Sequence, residues 1–228
     1  WLDGGWVAKE NRGQDLDMPE VARIARKNQP GIIIVDRTIH GPYENYQTPE
    51  QQVPDALLPY PWETCMSMGN SWSYVSTDTY KSTNKLIHLL CDIVAKGGNF
   101  LLNVGPDAEG NLPYTALLRM KEIGQWMHVN GEAIYGTRPI YPFTYGKFRF
   151  TQKDNKVYAI FLLDEQESPV PDTYWFDGKG MNLKTGKIKV LGSKKKASLC
   201  READGRYRID FQNAFETPHA VVFEMRKR

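Results

Sequence analysis

Two acidic residues in aromatic surroundings are the side chains of this 228-residue chain with the clearest capacity for chemistry. Asp3 follows Trp1-Leu2 and precedes Gly4-Gly5, a carboxylate at the end of a short apolar stretch where glycine lets the backbone turn closely. Glu63 stands between Trp62 and Cys65, with Trp72 and Tyr74 further along. Each alone has a plain structural reading, Asp3 as the cap of a turn and Glu63 as a surface acid beside core aromatics. As a pair they suggest glycoside hydrolysis, which generally requires two carboxyl groups facing one bond. Aromatic faces pack against the C–H surface of a sugar, and Trp1, Trp6, Trp62 and Trp72, four of the six tryptophans, lie within ten residues of one of the two acids. With aromatics at 12% of the chain, chance clustering is the competing explanation.

Other chemistries fit less well. The stretch Asn103-Val104-Gly105-Pro106-Asp107 has a glycine after a strand-like run but neither the spacing nor the lysine of a phosphate loop. His40, His88, His128 and His219 are scattered, with no Asp or Ser neighbour that would nominate a triad. Cys65, Cys91 and Cys200 are odd in number and lack metal-ligand spacing; Cys91 reads as a small core residue and Cys65 as packing behind Glu63. The net charge of +2 is too small for a nucleic-acid footprint. Lys194-Lys195-Lys196 reads as a solvated loop, because no aromatic platform is interleaved with it. Apolar runs such as residues 31–35 and 100–102 stop far short of the ~20 residues that span a bilayer. The chain opens without an initiator Met, a charged leader or an apolar leader, so it reads as a piece of a longer chain with any targeting segment upstream.

Elements that would position these residues fall into two regimes. Residues 1–139 carry 12 Lys+Arg against 16 Asp+Glu, 12 − 16 = −4, and residues 140–228 carry 17 against 11, 17 − 11 = +6. In the first regime Met18-Pro19-Glu20 starts a helix that ends before Pro30. Ile32 to Val35 then reads as a strand apolar on both faces, with Asp36-Arg37 at its C-terminal end. Ser82-Thr83-Asn84 caps a helix carrying Leu86, Ile87, Leu90, Ile93 and Val94, closed by Gly97-Gly98. Asn99 to Val104 is a further buried strand, and Tyr114 to Asn130 an amphipathic helix with Leu117, Met120, Ile123, Gly124 and Met127 on one side. This alternation implies βαβ units. Residues 147–151, 156–163, 173–176, 187–191, 206–211 and 220–225 are short alternating segments, and they predict a small antiparallel sandwich.

Several segments, in order, resemble the C-terminal portion of a glycoside hydrolase family 29 α-L-fucosidase. They are Trp1-Leu2-Asp3-Gly4-Gly5-Trp6, Thr48-Pro49-Glu50-Gln51-Gln52, Trp62-Glu63-Thr64-Cys65-Met66, residues 98–106, and Gly124-Gln125-Trp126 with residues 130–139. The resemblance implies an α/β fold: residues 1–139 as the C-terminal part of a TIM-like (β/α) barrel, and residues 140–228 as an all-β antiparallel sandwich. It implies a retaining exo-glycosidase with Asp3 as nucleophile and Glu63 as acid/base, and Trp1, Trp6, Arg37 and Trp72 lining the fucose subsite. In this scheme Asp3 is ionised, Glu63 carries the proton, and no metal or organic cofactor enters. Thr48 to Gln52 matches a segment read as structural, and Val35 departs from the polar residue expected before Asp36-Arg37. The family's sugar-holding histidines lie in the first half of the barrel, and none of this chain's four matches them. The implied partners are fucosylated glycans and the missing barrel half, from the parent chain or another subunit, with no nucleic acid and no membrane; the implied location is secreted, periplasmic or lysosomal. A non-catalytic carbohydrate-binding fragment, or a purely structural β-domain with a barrel remnant, are the alternative readings.

Overall fold

Capping chemistry sets the first helix, α1 (Met18–Asn28): Pro19 occupies its first turn, the Asp17 carboxylate accepts from the Glu20 N–H, and Arg26 and Lys27 sit in its last turn, complementing the helix dipole. The computed structural model describes residues 1–3, 15–35, 37, 40–165, 172–211 and 219–228. Met18 and Ala22 of α1 bury against Ile34 and Leu2.

Strands β1 (Trp62–Ser67) and β2 (Gly98–Asn103) run parallel and in register from Trp62 opposite Gly98 to Ser67 opposite Asn103. Between them helix α2 (Thr83–Ala95) makes the crossover that a parallel pair requires. The Ser82 hydroxyl accepts from the Lys85 N–H at its start, and Gly97, at a φ of +82°, turns the chain into β2 at its end. Trp62 is buried and its Nε1 donates to the Lys96 carbonyl at 3.2 Å. Its ring lies where a Gly98 Cβ would be, 2.5 Å away, so only glycine fits there. On the other side of β1, residues 45–50 add parallel bridges, Gln47 to Trp62 and Glu50 to Cys65. Beyond them, Asn45 bonds Ile34, the Leu2 N–H donates to the Val35 carbonyl, and the Arg37 N–H donates to the Leu2 carbonyl.

Three expectations change here. Residues 32–35 form no regular strand, and Ile33 is 65% exposed. In β2 the alternate residues Asn99 and Leu101 are exposed, so that strand is covered on one face only. Helix α3 (Tyr114–Asn130) has the expected extent, but its core side is Ala116, Ile123 and Trp126, and Leu117 is exposed.

After a short 3-10 turn (Gly131–Ala133) come β3 (Arg138–Tyr145), β4 (Phe148–Lys153), β5 (Lys156–Leu162), β6 (Thr173–Phe176), β7 (Gly186–Val190), β8 (Lys196–Arg201), β9 (Tyr207–Asp210) and β10 (Ala220–Arg226). They form one antiparallel sheet in the order β3-β4-β5-β10-β7-β8-β9-β6. Phe148 and Phe150 of β4 pack on Phe176 of β6, at 5.4 and 5.1 Å between centroids, although these strands lie toward opposite ends of the sheet. The expected sandwich is therefore a single sheet curled over its own apolar face. β3 and β8 were not among the expected strands, and Lys196, expected in a loop, begins β8. The outer face of β5 and β10 carries Tyr158, Ile160, Leu162, Ala220 and Val222 onto Ile87 and Cys91 of α2 and Trp126 of α3.

Candidate active site

Strand alternation separates the two roles of the residues around Glu63. Trp62 enters the apolar layer against Gly98, so Glu63 and Cys65 project from the opposite pleat. The same alternation at the chain start sends Leu2 into the cluster with Met18 and Ile34 and leaves Trp1 and Asp3 on the other side. Trp62 therefore packs on the opposite side of the strand from Glu63: sequence neighbours on a strand face away from one another.

Arg37 organises the centre of this face. Its Nη1 is 3.2 Å from Asp3 Oδ1, its Nη2 pairs with Glu50 Oε2, and its guanidinium lies 5.1 Å from the Trp1 ring centroid, within cation–π range. The Trp1 indole Nε1 donates to Tyr46 Oη at 3.0 Å, and Tyr46 Oη donates to Glu63 Oε1 at 3.2 Å. Asp3 and Glu63 thus belong to one continuous network, Asp3–Arg37–Trp1–Tyr46–Glu63. The Arg37 side chain is 15% exposed and that of Asp3 63%, so the cation is held inside while the nucleophile candidate remains open to solvent.

Electrostatics follow from this burial. Desolvation works against the Arg37 charge, but the bond to Glu50 and the nearby Cys65 and Asp3 outweigh it and hold the guanidinium above its ordinary value. Burial pushes the Cys65 thiol up; Arg37 opposes and Glu50 and Asp3 add to the effect. Burial also raises the Tyr46 phenol, against the Trp1 bond and with the help of Glu63, so Tyr46 keeps its proton as a donor. Among the described residues there is no group of three or more His, Cys, Asp or Glu that could hold a metal ion.

Trp72 stands on the segment following β1, 41% exposed. That segment is tightly fastened. The Asp78 carboxylate accepts from the Asn70 and Thr79 N–H groups, Lys81 Nζ donates to the Ser67 and Gly69 carbonyls, and Asn103 Nδ2 donates to the Trp72 carbonyl at 2.8 Å. Trp6 and Asp36 lie outside the described residues. The structure brings Asp3, Trp1, Arg37 and Glu63 together and adds two residues that the sequence reading did not assign to the site, Glu50 and Tyr46. Glu50 was visible within Thr48-Pro49-Glu50-Gln51-Gln52 but read as structural. Tyr46 had no signal, because its place depends on the register between residues 45–50 and β1.

A family model for alpha-L-fucosidase matches residues 1–132. The chain belongs to the alpha-L-fucosidase family. Mouse tissue alpha-L-fucosidase is 34% identical over 201 residues, 82% of this chain and 41% of the mouse protein, and the human tissue enzyme is 31% identical over 211 residues, 84% and 42%. Among solved structures, alpha-L-fucosidase isoenzyme 1 from Paenibacillus thiaminolyticus superposes with a TM-score of 0.83 at 24% identity, covering 100% of this chain and 56% of that one. The alpha-fucosidase of Thermotoga maritima gives 0.77 at 25% identity, covering 99% and 51%. The chain thus spans less than half the length of these tissue alpha-L-fucosidases.

Proposed function

We propose that this chain carries the catalytic carboxylates of a retaining exo-α-L-fucosidase. Asp3, ionised, attacks the anomeric carbon of a terminal α-L-fucoside while Glu63 gives its proton to the leaving oxygen; water, deprotonated by Glu63, then releases fucose from Asp3. The observation that carries this reading is the network joining Asp3 to Glu63 through Arg37, Trp1 and Tyr46 on one exposed face. Trp1 and Arg37, together with Trp6 and Trp72, are assigned to the fucose subsite. A retaining pair requires carboxyl groups roughly 5–5.5 Å apart.

The two-part organisation proposed is residues 1–139 as barrel and 140–228 as β-domain. Leu101, paired in register with Cys65, shares the face of Glu63 and is 42% exposed. A closed barrel fills its interior with side chains, so the remaining strands are assigned to the parent chain or another subunit.

The test uses the complete protein. Asp3→Ala should abolish hydrolysis of an aryl α-L-fucoside, with partial return on addition of azide, a small anion able to occupy the vacated space. Glu63→Ala should harm substrates with poor leaving groups far more than activated aryl fucosides, because proton donation matters only where the leaving oxygen needs it. A second reading is favoured by the ion pair of Glu50 with Arg37, beside Asp3: if Glu50→Ala and not Glu63→Ala shows that leaving-group dependence, the acid/base is Glu50. Fucose binding in a calorimeter with no turnover of any fucoside would favour the non-catalytic alternative.

A further inference from the structure

The phenol between Trp1 and Glu63 has only one way to share its proton. An indole N–H donates and cannot accept, so the 3.0 Å contact from Trp1 Nε1 occupies Tyr46 Oη as an acceptor. The hydroxyl hydrogen is left for the other neighbour, Glu63 Oε1, at 3.2 Å. Oε1 is thereby an acceptor whether Glu63 is ionised or protonated. We infer that Tyr46 is a positioning residue for the proton donor, holding Glu63 by Oε1 so that the proton transferred to the leaving oxygen resides on Oε2.

The inference rests on the reading of Glu63 as acid/base. It gives the site an orientation as well as a pair of acids. Trp1 is itself fixed beneath the Arg37 guanidinium, which in turn holds Asp3. One chain of contacts therefore sets the rotamer of the donor relative to the nucleophile, the kind of support that keeps reacting groups within a fraction of an ångström of productive geometry. Tyr46 itself exchanges no proton with substrate. Its hydrogen bond stabilises the ionised carboxylate more than the acid, so removing it favours the protonated form.

The experiment compares wild type, Tyr46→Phe and Glu63→Ala in the complete protein, on fucosides of graded leaving-group ability across pH. In Tyr46→Phe, kcat should fall by roughly tenfold for poor leaving groups and little for activated aryl fucosides. The alkaline limb of its kcat profile should move to higher pH by roughly half a unit. Replacing Tyr46 by 3-fluorotyrosine, a stronger donor of nearly the same shape, should move that limb the other way. Leaving-group dependence in Glu63→Ala with equal losses on all substrates and an unmoved limb in both Tyr46 variants overturns the role of Tyr46 alone. A Glu63→Ala variant without leaving-group dependence overturns the acid/base reading itself. Should Tyr46→Phe fail to fold, as judged by circular dichroism, the fluorotyrosine protein decides by the direction of its limb.

Discussion

Arg37 is the residue on which the candidate site depends most. A planar guanidinium can pair with two carboxylates and present its face to an indole at once, and Arg37 does all three with Asp3, Glu50 and Trp1. Lysine has a single point charge and no flat face. Arg37→Lys should therefore lower kcat/KM on an aryl fucoside at least tenfold, about 1.4 kcal/mol of transition-state stabilisation, with an unchanged melting temperature; activity within twofold of wild type would remove Arg37 from the machinery. Asp3 and Glu63 are legible as candidates from acids among aromatics, and Trp1 and Arg37 as candidates from family resemblance. The sequence could not make Tyr46 readable, since no local pattern around Thr48-Pro49 announces which residue of β1 lies opposite. The pleat likewise separates Glu63 from its sequence neighbour Trp62, which is buried against Gly98 on the other face.

At the scale of elements, helices were legible because their ends carry chemistry of their own: Ser82 and Gly97 around α2, Pro19 in the first turn of α1. Strands were less so. Ile32 to Val35 and Asn99 to Val104 are apolar runs, and covering on both faces was inferred from composition, whereas burial requires a partner on each side. β3 was missed because Pro139 and Pro142 break its alternation, and β8 because lysines precede the buried Ala197 and Leu199. The β1–β2 pair offers a direct test of how closely these elements fit. A methyl group at Gly98 would meet the buried Trp62 ring at 2.5 Å, and that ring is anchored by its bond to the Lys96 carbonyl. Gly98→Ala should cost about 1–3 kcal/mol, the range for overpacking a filled site. Urea denaturation should show this as a lower midpoint with an unchanged slope; an unchanged midpoint would mean that the Trp62 ring gives way without cost.

Across the whole molecule, the opposite charges of the two sequence regimes meet at their boundary. Asp92 of α2 pairs with Arg149 of β4, and Glu132 pairs with Lys156 and Lys189. Burial raises Glu132, but the two lysines outweigh it, leaving its carboxyl below the ordinary value. At the same boundary His88 Nε2 donates to the His219 carbonyl at 2.9 Å, and Asn84 Nδ2 donates to the Leu163 carbonyl. Burial holds both His88 and His219 below the ordinary histidine value of 6.5. Each then binds fewer protons folded than unfolded, so its contribution is complete above 6.5 and is lost as pH falls through that value toward the folded one.

Helix α2 joins β1 to β2 with one side and supports the curled sheet with the other, and Cys91 sits fully buried between them, its thiol pushed far up by burial. That sulfur is a built-in clock for the separation of the two halves. An alkylating reagent reaches it only in the moments when the sheet lifts away, so labelling of its peptide, followed by mass spectrometry and divided by the rate in the unfolded chain at the same pH, counts those moments. The tick should quicken from pH 7.5 to pH 5.5 as His88 and His219 take up protons, and His88→Gln, which keeps a donor but cannot titrate, should slow that acceleration. A rate indifferent to pH in both proteins would mean that the halves part, if at all, without the histidines' consent.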